Sequence, residues 1–366
     1  MLYDTQFQRP KDVPEVLSKL SALSERTGPL RLMEICGTHT MAIAKTGLKS
    51  LLPETVTLIS GPGCPVCVTP AGEMDAVLTL SGQPGVTVAT YGDLLRVPGS
   101  RKGISLLRQK ALGASVEAVY SPMDALAFAE AHPEREVVFV GVGFETTAPG
   151  TAACLLEAAR KEVSNFSVFC LLKRTEPALR TLVTAPDVAV NGFLCPGHVA
   201  AITGAESFAF LPQEYGLPAV VSGFEAADLV YSVLELVRMA ADGKAELKNE
   251  YVRLVKPEGN PAALAMMHQV FEPCTCHWRG LGEVKDGGMA IRSEYERFDA
   301  GKRFGIRIEE TEEIPGCSCA EIIRGVKTPQ ECPLFGSVCT PADPVGPCMV
   351  SGEGACAAAW KYRTVR

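Results

Sequence analysis

The feature that most constrains this chain is an alternation of short apolar runs with helix-like segments through its first two thirds. LRLMEI (30–35), TVTLIS (55–60), GVTVATYG (85–92) and SVEAVY (115–120) read as strands. REVVFVGVG (135–143), FSVFCLL (166–172), DVAVNGFLC (187–195) and LPAVVSGF (217–224) extend the series. Helical patterns sit between them at 41–52, 72–80 and 151–163, and a further helix after residue 120 has Ser121 or Asp124 to cap it. Repeated strand–loop–helix units imply parallel sheets covered by helices. Two such sets predict an α/β chain with two Rossmann-like parallel-sheet domains around a cleft, over residues 1–125 and 126–240. A short echo, Gly143-Phe144-Glu145 and Gly223-Phe224-Glu225, follows a strand in each of two places within the second set.

From about Met239 the pattern breaks. ADGKAELKNEY reads as a polar helix or linker, and the tail from Phe271 is rich in Cys, Pro and Gly. Residues 241–366 are therefore expected to form a third, Cys-rich domain held by cross-links or a metal, because the tail has little apolar surface to bury.

Composition narrows the function. Of 366 residues, 47% are hydrophobic and 21% charged, which suits a globular protein and excludes disorder or a coiled coil. A net charge of −7 disfavours a broad grip on nucleic acid or anionic lipid. The start, MLYDTQFQRPKDVPEVL, lacks the apolar stretch of a signal peptide, and no run approaches the length of a membrane span. The expectation is a cytoplasmic protein, monomeric when free, in a compartment where disulfides are rare. The chain has 14 Cys, and six lie between Cys317 and Cys356, so metal or redox chemistry is the better use for them.

In open α/β sheets, ligands bind outside the carboxyl ends of the strands. Cys36 to His39, Cys64 to Cys67, Asp93, Glu145 to Thr147 and Cys195 to His198 all fall there. Any one cluster reads equally as a tight turn; five together point to one cleft. Cys36 is either a small buried hydrophobe or a thiolate for a soft metal, with His39 as ligand, base or donor. Cys64-Pro65-Val66-Cys67 suits a reversible disulfide or half of a zinc site. His198 is a site group or a structural turn residue. Thr146 and Thr147 either bind an anion or cap a helix. Cys332, Cys339, Cys348 and Cys356 suit a 4Fe–4S cluster or four-cysteine zinc, and Cys317 or Cys319 can replace one of them. Cys274-Thr275-Cys276 has too short a spacing for a common zinc ribbon. Cys154 and Cys170 read as core, and Trp278 and Trp360 as packing within the tail. Neither a Walker A loop nor a G-x-G-x-x-G fingerprint is present.

These blocks, taken in order, resemble the HypD family of NiFe-hydrogenase maturation proteins. The resemblance rests on CGTH (36–39), GPGCPVCVTP (61–70), YGDLLRVPGS (91–100), GFETTAP (143–149), CPGHV (195–199) and CPLFGSVCTPADPVGPCMVSGEGAC (332–356). It implies a scaffold that works with the chaperone HypC while an Fe(CN)2CO group is assembled, with cyanide supplied by HypE. It implies that Cys36 anchors that iron, and that Cys332, Cys339, Cys348 and Cys356 hold a 4Fe–4S cluster. Cys64 and Cys67 would be a redox pair between them, and His39, His198, Thr146, Thr147 and Glu353 would line the cleft. Two rivals stand beside it: an iron–sulfur thiol–disulfide reductase acting on a protein partner, and a pure scaffold in which the cluster only staples the tail.

Overall fold

A computed structural model describes residues 13–101, 103–309, 311 and 313–363; the stretch read for a signal peptide lies, up to residue 12, outside them. Eleven strands are seen among the described residues. They are β1 Leu30–Glu34, β2 Val56–Ser60, β3 Val86–Thr90, β4 Ser115–Ala118, β5 Glu136–Gly143 and β6 Phe166–Leu172. The rest are β7 Gly192–Pro196, β8 Ala219–Ser222, β9 Leu247–Asn249, β10 Phe271–Trp278 and β11 Gly282–Ile291. The first sheet has the order β2-β1-β7-β8-β9, the second β4-β3-β5-β6, and both are parallel throughout. The expected α/β class with two parallel-sheet domains and a Cys-rich C-terminal region is the observed one.

The division of the chain is not. The second sheet is inserted whole between β2 and β7, so β1 pairs with β7, Leu32 opposite Gly192 and Glu34 opposite Leu194. A boundary at residue 125 would cut the second sheet between β4 and β5 and leave β1 and β2 without β7. The strand–helix rhythm is the same inside both sheets, so local pattern carries no information about which strands pair. Asn191 makes the join: its side-chain carbonyl accepts the Arg31 amide at 2.8 Å just before β7 begins.

Three further expectations change. The polar segment after Met239 contains β9, an edge strand that closes the first sheet against β8. The tail is more regular than its composition suggests, since β10 and β11 form a long antiparallel hairpin. Trp278, 2% exposed, does not pack only within the tail. It stacks on Phe144 at 5.6 Å and 13°, and its Nε1 donates to the Gly287 carbonyl at 3.0 Å, which fastens the hairpin to the loop after β5.

The sheets are held by what they bury. The helices Val13–Ser24 and Ala226–Ala241 cover the first sheet, bringing Leu20, Leu229, Val233 and Leu236 against Leu32 and Val220. Each such side chain contributes roughly 1.5–3 kcal/mol when fully buried. In the second sheet every residue of β3 is buried. Ser121 and Asp124 cap the helix Pro122–Ala131 together: the Ser121 hydroxyl accepts the Asp124 amide and the Asp124 carboxylate accepts the Ser121 amide. Cys154 is fully buried as expected, while Cys170 is only half-buried. No helix among the described residues is long and apolar enough to cross a membrane.

Candidate functional site

The central first-sheet strands β1, β7 and β8 are neighbours, so the loops at their carboxyl ends lie side by side. Cys36 follows β1 in an extended conformation and precedes the helix Gly37–Thr46. Buried Glu34 accepts the Cys36 amide at 3.1 Å and the Thr40 hydroxyl at 2.5 Å. Burial pushes the Cys36 thiol up to about 12, and the Glu353 and Glu34 carboxylates add to the shift while the His39 and Thr38 amides oppose it. Without a cation this sulfur stays protonated; a coordinated metal reverses that balance, because ligation deprotonates a thiol outright. The same burial lifts Glu34 to about 7.

His39 is fully buried. Its Nε2 lies 2.9 Å from the Gly223 carbonyl, which only accepts, so Nε2 carries the proton and Nδ1 the lone pair. Nδ1 is buried with no hydrogen-bond partner. Burial lowers the imidazole to about 4, so the ring is neutral near pH 7. The His39 ring lies 4.7 Å from Phe224, and His198, exposed at its outer side, stacks on the same ring at 3.8 Å. Burial lowers His198 as well. Three sequence-distant groups, from the ends of β1, β7 and β8, are thus packed together. Cys195 is not with them: it is a residue of β7, buried in the core with Met33 and Phe193.

The loop after β2 presses on Cys36. Gly61 donates its amide to the Glu34 carbonyl at 2.7 Å, and the Gly63 carbonyl accepts the Gly37 amide at 3.0 Å. A Cβ on Gly63 would run into the Cys36 backbone, which is why only glycine serves there. Cys64 caps the short helix Pro65–Val68, its sulfur accepting the Cys67 amide at 3.3 Å. The Cys64 and Cys67 sulfurs are 2.6 Å apart and not joined as a disulfide. Burial and the neighbouring Cys64 thiol push Cys67 well up.

The tail reaches both places through one loop. Ser351 accepts the Cys64 thiol at 3.4 Å and its hydroxyl faces Asp93 at 3.4 Å. Two residues on, the Glu353 carboxylate accepts the Thr38 hydroxyl at 2.7 Å. This loop lies between Cys348 and Cys356. Those two thiols are 3.3 Å apart, Cys319 is hydrogen-bonded to Cys348, and Cys317 to Cys319. Cys339 accepts the Val345 amide at 3.3 Å. Cys319, Cys332, Cys339, Cys348 and Cys356 are all buried, and all 14 cysteines are free thiols.

No three His, Cys, Asp or Glu side chains group as a single-ion site among the described residues. An iron–sulfur cube is a different test, since its ligands stand apart at the corners of a larger body. Buried free thiols, with Cys319, Cys348 and Cys356 in the first turns of short helices, Cys332 and Cys339 outside them, and Cys339 already accepting an amide, form a donor set compatible with metal or iron–sulfur binding.

The loop after β5 is separate in its bonding. Glu145 accepts the Thr175 amide at 2.8 Å and hydroxyl at 2.7 Å. Thr147 donates to the Phe144 carbonyl at 3.3 Å at the start of the helix Ala148–Arg160, and Thr146 is exposed. Phe144, however, packs in the same core as Val66 and Cys67. Sequence reasoning missed Phe224, Ser351 and Glu34. The signal for Phe224 was the Gly-Phe-Glu echo: both of its rings prove to be aromatic platforms, Phe144 for Trp278 and Phe224 for two histidines.

The chain has relatives along nearly its whole length. The HypD model, described as the hydrogenase formation hypA family, matches residues 11–363. The hydrogenase maturation factor HypD of Rhizobium leguminosarum bv. viciae is 44% identical over 373 residues, 100% of this chain and 97% of its own. The hydrogenase maturation factor HypD of Cupriavidus necator is 44% identical over 369 residues, 99% of this chain and 97% of its own. A putative hydrogenase expression/formation protein of Methanocaldococcus jannaschii is 42% identical over 354 residues, 96% and 98% of the two chains. With a family model and full-length relatives matched from end to end, the chain belongs to the HypD family.

Proposed function

We propose that this chain is a cytoplasmic maturation factor for NiFe-hydrogenases that carries the Fe(CN)2CO group while it is assembled, together with a HypC-type chaperone and a HypE-type cyanide donor. The observation that carries the reading is the Ser351–Glu353 loop. One tail segment, between two cluster-type cysteines, bonds to the Cys64 thiol and to the residue two places beyond Cys36.

The residues then take distinct tasks. Cys36 anchors the iron substrate through a sulfur that ligation ionises. Neutral His39 offers a buried lone pair at Nδ1, and Phe224 holds it beside His198. Glu353 fixes Thr38 and so the first turn of the helix that presents Cys36. Cys64 and Cys67 store two electrons: forming their disulfide releases two electrons and two protons, and reduction takes them back. Cys332, Cys339, Cys348 and Cys356 would hold a 4Fe–4S cluster, which supplies electrons singly. Thr146 and Thr147, on the loop after β5, would supply the second sheet's side of the cleft, while Glu145 is held by Thr175.

Anaerobic purification with the HypC-type chaperone, read by infrared and Mössbauer spectroscopy, tests this. The expected result is a low-spin iron with cyanide and carbonyl stretches beside a 4Fe–4S signal. Cys36→Ala loses the first and keeps the second. A protein without cyanide and carbonyl bands that instead turns over a partner's disulfide would overturn the maturation reading in favour of the reductase.

A further inference from the structure

Cys274 and Cys276 have no part in the site above. They belong to β10, not to any of the loops that carry Cys36, Cys64 or the tail thiols. Cys274 faces Gly288 across the hairpin, and Cys276 faces Val284, so between these pairs Thr275 alone on β10 is opposed by Lys285, Asp286 and Gly287 on β11. The excess is taken up on β11, where Asp286 has φ 57°, a left-handed value rare for a residue with a side chain. The bulge leaves Gly288 beneath both cysteines. A Cβ built on Gly288 would lie 2.9 Å from the Cys276 sulfur and 3.0 Å from the Cys274 sulfur. The two sulfurs therefore converge over one bare backbone carbon. Both residues are only half-buried.

Geometry decides what such a pair takes. Residues two apart on an extended strand have Cα atoms roughly 6.5 Å apart, near the far limit for a disulfide. A bridging metal spans more easily, because each metal–sulfur bond adds about 2.3 Å between the sulfurs. No third His, Cys, Asp or Glu completes a site among the described residues. Cys170, one strand away, has its thiol on the Met289 carbonyl at 3.1 Å. Two thiolates alone satisfy a soft monovalent ion and leave a divalent one short of ligands. Burial pushes both thiols up, the Lys173 ammonium opposes that shift, and the Glu73 carboxylate paired with Lys173 adds to it, so it is ligation by a metal that would ionise the sulfurs.

We propose that Cys274 and Cys276 form a two-thiolate clamp for a soft monovalent metal ion of the Cu(I) class, seated over Gly288. Binding releases the two thiol protons to solvent and leaves a bis-thiolate unit of net charge −1 near Lys173.

The full-length chain, prepared anaerobically, is given one equivalent of Cu(I) from a bicinchoninate buffer, alkylated briefly with iodoacetamide and mapped by peptide mass. Cys274 and Cys276 are expected to lose their alkylation together. Cys274→Ser restores alkylation at Cys276, Gly288→Ala restores it at both, and the Cys64→Ser/Cys67→Ser variant leaves the protection intact. Equal alkylation of Cys274 and Cys276 with and without Cu(I) overturns the proposal. So does a Cys274→Ser chain in which Cys276 stays protected, or a disulfide between the two in the metal-free chain. None of these readouts depends on hydrogenase maturation, so this clamp and the proposed function fail separately.

Discussion

Between Cys36 and Cys64 the backbones touch without a side chain to yield. The Gly63 carbonyl accepts the Gly37 amide at 3.0 Å, and a Cβ on Gly63 would meet the main chain of Ile35 and Cys36. Gly63→Ala should therefore move one loop off the other. Overpacking of this kind costs about 1–3 kcal/mol. Under the proposed function, a folded Gly63→Ala protein should keep the 4Fe–4S signal and lose the cyanide and carbonyl bands. Denaturant midpoints and infrared spectra of the same preparation check both halves, and unchanged bands would mean that the two loops act independently. Cys36, His39, Cys64 and Cys67 were legible in the sequence because each cluster sits where a strand gives way to a helix. Phe224 and Ser351 were not. Phe224 matters through rings brought from the ends of β1 and β7, and Ser351 through a thiol 287 positions away. No local spacing encodes such partners.

The elements are pinned by a buried ion pair. Lys173, at the end of β6, reaches Glu73 at 2.7 and 2.9 Å and the His277 carbonyl at 2.9 Å. One ammonium thus joins the second sheet, the helix Ala71–Ser81 and the hairpin. Lys173→Met strands the Glu73 carboxylate in the interior, which costs about 3–5 kcal/mol when the partner is removed from a buried pair. Burial already holds Glu73 above 4.5 with Lys173 in place. A carboxyl raised in this way is favoured in its protonated form by folding, so its contribution is complete below 4.5 and is lost as pH rises through the raised value. The Lys173→Met penalty should accordingly be largest near neutrality and shrink in acid. Lys173→Met/Glu73→Leu should recover most of the loss and flatten that pH dependence. Urea midpoints over the acid-to-neutral range decide it; a penalty that grows in acid would rule out a stranded carboxylate as its cause. The hairpin itself was hard to read in advance, because Pro273 argues against a strand in β10 and Gly287 and Gly288 break the alternation in β11.

At the scale of the whole molecule, the insertion of the second sheet inside the first sets what can be separated. β1 and β2 precede the second sheet, while β7, β8 and β9 follow it. The pairing of Arg31 with Asn191 closes a loop of 160 residues. Such a closure is reached only after the intervening chain is compact, since long-range pairing delivers its contacts after the entropy cost of closing the loop. A chain cut after residue 125 would leave β3 without β5 and β1 without β7. Each piece would then present unpaired strand edges, which template aggregation. Expressed alone, residues 1–125 and 126–366 should each lack a cooperative unfolding transition and run as aggregates on gel filtration. Produced together, they should recover β3–β5 and β1–β7 pairing and co-purify as one particle of the size of the intact chain. A piece that is monomeric and unfolds cooperatively by itself would show that the sheets are stable without each other's connecting chain. The interleaving also has a consequence for the site. Cys36 and His39 lie in the first sheet's chain before the insertion and His198 and Phe224 after it, so the packing of His39 and His198 on Phe224 joins chain from both sides of the inserted sheet.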